Sequence, residues 1–369
     1  MKKILFIAEK YIYENDGYKT RIVMELELLK NYFELCIFVP DVKKEIDLPG
    51  YVKVYKYTPK KNMLPSMFNL YDIRQKLNSL LDEIGNVIVY CEALPMAIMA
   101  LQVCKARKLH LVYDCHGAVA AEVYLKRHNW LGYLYSKWLN WQEKKVIAFS
   151  SLFITVSKKQ AGLFKYGNKN VLLPMVPGKH FFDKKVYRNE IRKKLNIQSD
   201  ELVFVYCGQN QKWQMSEETI QFYKKIEQNS PNTKLLILTN AVDEFTAIVS
   251  KNEIKTSTVL KVSYNDVPKY LDACDFGFCL RNNSIINQVA SPTKVLEYVS
   301  RNVVPILTEY VGDFSRDLLQ DNIAYVIDIN SITDFNFVKK DFDGSLYVRE
   351  KNQACVEMYM DRLLSLNEK

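Results

Sequence analysis

The chain has little of several things that would mark a function at once. Only four of its 369 residues are histidine. Its eight cysteines (Cys36, Cys91, Cys104, Cys115, Cys207, Cys274, Cys279 and Cys355) are scattered, with no C-x-x-C pair and no zinc spacing. That excludes a disulfide scaffold and a zinc module. Most fall in apolar patterns, where Cys behaves as a small buried hydrophobe, and a reducing, cytoplasmic compartment is expected. Glycine (12) and proline (11) are sparse, while 48% of residues are hydrophobic and 25% charged, so nothing argues for disorder or low complexity. Long hydrophobic runs are missing: the longest, 93–104, is far below the roughly 20 residues that span a bilayer. The opening MKKILFIAEK is too short in apolar residues for a signal peptide and reads as a first buried strand. There is no G-x-G-x-x-G, which disfavours a dinucleotide-dependent oxidoreductase, and no internal repeat.

What is present is length enough for two domains and an uneven charge. The net charge is +9, but residues 1–180 hold 27 Lys+Arg against 16 Asp+Glu, and the remainder 24 against 26. The basic half fits an anionic partner such as a lipid phosphate or membrane surface, or equally a solvated Lys-rich face. No nucleic-acid-binding motif accompanies it, so nucleic acid is not expected as a partner.

Apolar runs of strand length alternate with helical patterns throughout. ILFIAE, ELCIFVP, YVKVYKYT, NVIVYCE, LHLVYDCHG, LFITVS and NVLLPM predict strands in the first half. A charged stretch at 178–200 reads as a connection. LVFVYCG, KLLILTN, VLKVS, DFGFCL, VVPIL and AYVID then restart the pattern, and a helix is predicted over about 350–366. Alternation of this kind implies parallel βαβ units and two doubly wound sheets.

The most informative stretch runs from Asp275 to Gly312: strand, polar loop, helix, strand. Ser291 precedes Pro292, a suitable first helical residue. A helix that opens beyond a strand end offers free amides and the positive end of its dipole to an anion. Lys294 and Glu297, three apart, share a face. They can hold a nucleotide, with phosphate on the amides and Lys and ribose on Glu. Taken alone they read more readily as an ordinary surface pair.

S-P-T-K-x-x-E-Y followed by x-x-P-I (Ser291 to Ile306) resembles the sugar-nucleotide signature of family 4 retaining glycosyltransferases of the GT-B fold, in the form common among cell-surface polysaccharide enzymes. The resemblance implies two Rossmann-like domains facing a cleft. On that plan 1–177 is an acceptor domain, 178–200 a linker, 201–345 a donor domain and 346–369 a helix crossing back. It also implies that Glu297 binds ribose and that Ser291, Pro292, Thr293 and Lys294 hold the diphosphate. The family usually carries a second Glu eight residues before the first. Here that position is Val289, with Asn287 and Gln288 beside it.

Ligands of open parallel sheets bind beyond the strand C-termini, and the remaining candidates lie in such loops. Gly17, in the loop after the first strand, is either a backbone approach to donor phosphates or a turn glycine. In Asp114-Cys115-His116-Gly117 the family's D-x-H-G implies that His116 contacts the donor sugar, and Glu122 fits the same pattern. Gly208, Gln209 and Lys212 occupy the loop where relatives carry Arg and Lys on the diphosphate. Here Lys212 and Lys294 supply two cations, Gln209 stands nearest the missing Arg, and Arg281 offers a third. Tyr264-Asn265-Asp266 matches the loop that shapes the base pocket.

Asp341-Phe342-Asp343 is a D-x-D that follows no apolar strand and reads as a surface turn, so no metal and no cofactor beyond the nucleotide sugar are expected. Trp130, Leu134, Trp138 and Trp141 form a helical stripe that reads as core, with a membrane interface as the alternative. The basic loop Lys60–Phe68 reads better as an interfacial element.

The expected function is metal-independent, retaining transfer of a sugar from a UDP-linked donor to a glycan or lipid-linked acceptor at the inner face of a membrane. His116, Lys212, Lys294 and Glu297 are the main site residues. The rivals are a non-catalytic GT-B partner of a polysaccharide assembly complex and, below it, a nucleotide-sugar 2-epimerase.

Overall fold

The computed structural model describes residues 2–13, 17–42, 44–58, 67–164, 167–331 and 336–367. The chain divides into two compact units, 1–174 with 353–369, and 175–352. In the first, seven parallel strands lie in the order β3-β2-β1-β4-β5-β6-β7. They are β1 (Lys3–Ile7), β2 (Glu34–Pro40), β3 (Lys53–Tyr57), β4 (Val87–Cys91), β5 (Leu111–Cys115), β6 (Leu152–Thr155) and β7 (Asn170–Leu172). The second has six, in the order β10-β9-β8-β11-β12-β13. They are β8 (Leu202–Cys207), β9 (Thr233–Leu238), β10 (Ser257–Leu260), β11 (Phe276–Cys279), β12 (Val304–Leu307) and β13 (Tyr325–Val326).

The central strands of each sheet are apolar on both faces because helices cover both sides of a parallel sheet. In the first unit Leu5 and Ile7 face one core with Val89 and Cys91, while Ile4 and Phe6 face the other with Ile88 and Tyr90. The chain order reverses beside β1 in the first sheet and beside β8 in the second. At such switch points adjacent loops diverge and leave a crevice beyond the strand ends.

Three sequence expectations change on folding. Residues 178–200, expected as a connection, contain the helix Arg188–Lys194 and pack into the second unit through the buried Phe181, Ile191 and Ile197. The last helix starts earlier than expected and covers Gly344–Leu364. Val348 is buried in the second unit, and Tyr359 and Leu363 in the first. The stripe on the helix Trp130–Phe149 reaches the core only at Trp138, which is half-buried against it. Its inward face carries Gly132, Ser136, Leu139, Glu143, Val146 and Ile147, leaving Trp130 and Trp141 exposed. Gly132 lets the Arg127 backbone approach the helix closely, and Trp130, Leu134 and Trp141 turn outward. Asp343 of the D-x-D accepts a hydrogen bond from the Leu346 amide (2.9 Å) at the start of the last helix. The loop residues 60–66 lie outside the described residues.

Candidate active site

In the second unit the site is assembled at the switch point between β8 and β11. Their ladder pairs only Phe276 with Phe204 and Gly277 with Val205. Beyond it the Tyr298 hydroxyl bridges the two strands, accepting from the Cys207 amide (2.9 Å) and lying 3.3 Å from the Phe278 carbonyl. Gly277 makes room for that ring: a Cβ there would stand 2.5 Å from it. Tyr298 thereby fixes the helix Thr293–Ser300 over the crevice.

Pro292 is the residue preceding that helix rather than its first member, and no side chain caps the helix. The Ser291 hydroxyl oxygen is buried and has no hydrogen-bond partner. Lys294 reaches back to Gln214, Nζ to Oε1 3.1 Å, and lies 4.9 Å from the centre of the Tyr206 ring. Gly208 is what lets it in. Its φ is +149°, and a Cβ would fall 2.7 Å from both Lys294 Nζ and Gln214 Oε1. Gly208→Ala is therefore expected to cost about 1–3 kcal/mol through backbone strain and to displace the ammonium. A thermal melt paired with a nucleoside diphosphate titration checks this, and an unchanged variant in both would overturn it.

Arg281 is buried (5% exposed). It is held by reciprocal bonds between its backbone and the Thr308 hydroxyl, N to Oγ1 2.8 Å and Oγ1 to O 2.7 Å. Its guanidinium donates to the carbonyls of Leu280 (2.9 Å) and Gln214 (3.3 Å). Among the described residues neither Arg281 nor Lys294 forms an ion pair with a carboxylate. Burial, and then the neighbouring Arg281 charge, push the Lys294 ammonium down to about 8. Two cations, one buried and one half-buried, with no ion pair among the described residues and only the more distant Glu297 carboxylate acting on Lys294, stand beside a helix N-terminus and can receive an anion. Glu297, 8% exposed, accepts from the Tyr264 hydroxyl (2.9 Å). Burial pushes its carboxyl up to about 7, against the pull of that hydrogen bond and of Lys294.

The other candidates of this unit are placed differently. Gln209 is exposed, and its carbonyl lies 3.1 Å from the Tyr206 hydroxyl. Asn287 is buried and spends its amide donors on Trp213 O, Asn282 O and Asn282 Oδ1, so it braces the loop before the helix. Val289 is buried. Lys212 opens a short 3-10 turn, and its side chain lies outside the described residues.

In the first unit His116 stands just beyond β5, with Nε2 2.9 Å from Asp114 Oδ2 and 3.1 Å from Glu92 Oε2. Glu92 follows β4 directly, so the two loops meet beside the switch point. Beneath them Arg21 is fully enclosed. It donates to Asp114 through Nε (2.9 Å) and Nη2 (3.3 Å), to Leu173 O (2.8 Å) and Pro174 O (3.1 Å), and pairs with Glu25 (3.2 Å). Tyr90 donates to Glu25 Oε1 at 2.6 Å. Burial disfavours ionised Asp114, yet Arg21 and His116 outweigh it and hold its carboxyl below the usual range. Burial, with the Asp114 charge added, pushes Glu92 up to about 8, and burial with the Glu92 charge pushes Glu25 well above its ordinary value. Both Glu92 oxygens and Glu25 Oε2 lack hydrogen-bond partners if both groups are ionised. A proton shared between the two carboxyls satisfies one oxygen of each.

Glu92, Asp114 and His116 could by distance surround a metal ion, their ligand atoms lying within 4.8 Å of one another. The Asp114 oxygens are already taken by Arg21, whose charge beside them opposes a second cation. Gly17, exposed, opens the helix Gly17–Leu29 that carries Arg21 and Glu25, and the preceding residues 14–16 lie outside the described residues. A Cβ on Gly117 would meet Glu122 Oε1 at 3.1 Å. Glu92, Arg21, Glu25, Gln214 and Tyr206 were not singled out by the sequence. Buried charges at strand ends and in an amphipathic helix look like surface residues until the fold encloses them.

The shared proton has a measurable sign. Between 4.5, the ordinary value, and about 8 the folded chain holds a proton on Glu92 that the unfolded chain releases. The stability this represents is full below 4.5 and is lost as pH rises towards 8. Urea melts from pH 5.5 to 8.5 should show falling stability, with a shallower fall in Glu92→Gln. Glu297 contributes the same sign up to about 7 in both proteins, so the difference reports on the coupled Glu92–Glu25 pair, and an identical slope would sink the shared-proton account.

No known protein-family model matches the chain, and no curated protein matches it by sequence. Solved structures do. HepE of Anabaena, in complex with UDP and glucose, superposes with a TM-score of 0.67 at 11% identity, covering 99% of this chain and 100% of that one. Sucrose-phosphate synthase from Thermosynechococcus elongatus gives 0.70 at 11% identity, over 99% and 95%. WaaG, a glycosyltransferase involved in lipopolysaccharide biosynthesis, gives 0.64 at 14%, over 97% and 95%. The two parallel-sheet units therefore have the GT-B glycosyltransferase fold.

Proposed function

We propose that the protein is a retaining glycosyltransferase that takes a sugar from a UDP-linked donor and passes it to a glycan or lipid-linked acceptor in surface polysaccharide synthesis. The observation that carries this reading is the pair of cations, half-buried Lys294 and buried Arg281, that form no ion pair among the described residues and stand beside the unpartnered Ser291 hydroxyl. A nucleoside diphosphate supplies the missing negative charge, and the amides of Thr293 and Lys294 with the Ser291 hydroxyl bind its oxygens. Glu297, oriented by Tyr264, accepts from the ribose hydroxyls. The family resemblance assigns His116 to the donor sugar. The solved complexes of HepE with UDP, UDP and glucose, and UDP-glucose support the donor class.

The chemistry then needs no protein nucleophile. The acceptor hydroxyl attacks the anomeric carbon on the face from which the diphosphate leaves, the bond to the diphosphate oxygen breaks, and the hydroxyl proton passes to that departing oxygen. The cations and helix amides stabilise charge that grows on the departing phosphate oxygen. Val289 in place of the usual Glu removes one sugar contact, and with it favours the alternative of a non-catalytic partner protein. Thermal-shift titration with nucleoside diphosphates and their sugars tests the reading. One diphosphate raising the midpoint, with release of that diphosphate during turnover on an acceptor glycan, supports transfer. No shift at millimolar ligand overturns the donor site and leaves the partner protein ahead.

A further inference from the structure

The helices Val119–Lys126 and Trp130–Phe149 of the first unit show an apolar face that nothing among the described residues covers. Trp130, Leu134 and Trp141 are 70%, 54% and 51% exposed, and Leu125, Leu131 and Tyr133 lie open beside them. Offsets of 4, 7, 11 and 15 return to nearly the same side of an α-helix. Trp130, Leu134, Lys137, Trp141 and Lys145 therefore form one strip, opposite the buried face.

The charge around the strip has one sign. Lys126, Arg127, Lys137, Lys144 and Lys145 are exposed, and among the described residues none of them forms an ion pair with a carboxylate. The two acidic residues of these helices are withdrawn: Glu143 is buried on Tyr113 (2.9 Å) and Cys115 (3.4 Å), and Glu122 is half-buried against Gly117. The Lys145 ammonium lies 3.3 Å from the Trp141 ring centre and Lys137 5.1 Å from that of Tyr133. Long cationic stems laid along aromatic rings, with no exposed carboxylate, suit a surface that is apolar inside and anionic outside.

We infer that this face docks on an anionic lipid bilayer, with Trp130, Leu134 and Trp141 entering the headgroup boundary and the five basic residues meeting lipid phosphates. The biological use of docking rests on the lipid-linked acceptor proposed above, but its measurement does not.

Three of the four tryptophans, Trp130, Trp138 and Trp141, lie on this helix and the fourth is Trp213, which makes intrinsic fluorescence a direct reporter. The intact protein should sediment with phosphatidylcholine vesicles containing 30% phosphatidylglycerol, with its emission blue-shifted and quenched by brominated acyl chains. Affinity should fall by roughly a hundredfold with pure phosphatidylcholine or in Lys137→Glu/Lys145→Glu, and comparably in Trp130→Ser/Leu134→Ser. Nucleoside diphosphate thermal shifts should be unchanged in both variants, which separates this proposal from the donor-site reading and verifies folding. Failure to bind anionic vesicles, or binding equal in wild type and both variants, overturns the inference. So does a dimer in solution that Trp130→Ser/Leu134→Ser dissociates, because the face would then join two copies.

Discussion

Glu297→Ala should remove most of the stabilisation that a nucleoside diphosphate confers, while leaving the unliganded protein at least as stable as wild type. A ligand present at a hundred times its dissociation constant stabilises by about 2.7 kcal/mol. For a unit of this size that corresponds to roughly 5–10 °C in midpoint. Two charge-assisted hydrogen bonds from ribose hydroxyls to one carboxylate contribute at least about 2.8 kcal/mol, so losing them weakens binding about a hundredfold. At the same ligand concentration only about 0.4 kcal/mol of stabilisation then remains. The unliganded fold does not suffer, because burial already pushes this carboxyl up to about 7; removing a desolvated acid relieves a cost. Tyr264→Phe, which removes the hydroxyl 2.9 Å from Glu297, should weaken binding by a smaller factor. Thermal-shift titration of the three proteins is the check. Full ligand stabilisation in Glu297→Ala would remove this residue from the donor site.

The second large effect is on folding. Arg21→Met should lower the stability of the first unit by about 3–5 kcal/mol, because it leaves a buried carboxylate without its partner. Arg21 is 1% exposed and holds both oxygens of Asp114 together with the carbonyls of Leu173 and Pro174. It thus ties the helix Gly17–Leu29 to β5 and to the chain after β7. The midpoint of this unit in calorimetry should fall by roughly 6–20 °C. Arg21→Lys should not restore it, since a single ammonium cannot reproduce the planar fork that serves Asp114 and two carbonyls. The variant should regain stability on acidification, as Asp114 becomes able to protonate. A loss below about 1 kcal/mol would show that Arg21 is not the keystone of this charge cluster.

Local patterning was enough to determine the two sheets and the place of the helix that follows β11. Strand-length apolar runs separated by helical periodicity leave few topologies, and parallel strands need covered faces, which the continuous runs VIVYC and LVFVYC announce. The helix that carries Lys294 and Glu297 was legible for the same reason. Its start signal and its strand are adjacent in the chain.

Tertiary structure decided what sequence spacing does not encode. Arg21, Glu92 and Asp114 are separated by tens of residues in the sequence. They become one cluster only because β4 and β5 lie side by side and the helix after β1 crosses them. Gln214 and Gly208 matter because Lys294 folds back to them. Asn287 looked available for a ligand, but its donors are spent on Asn282 in its own loop and on the Trp213 carbonyl. The tryptophan stripe has the period of a core helix, and period alone does not say which face is inward. Gly132, Ser136 and Leu139 took the buried side, Trp138 sits half-buried against the core, and Trp130 and Trp141, with lysines beside them, face the solvent.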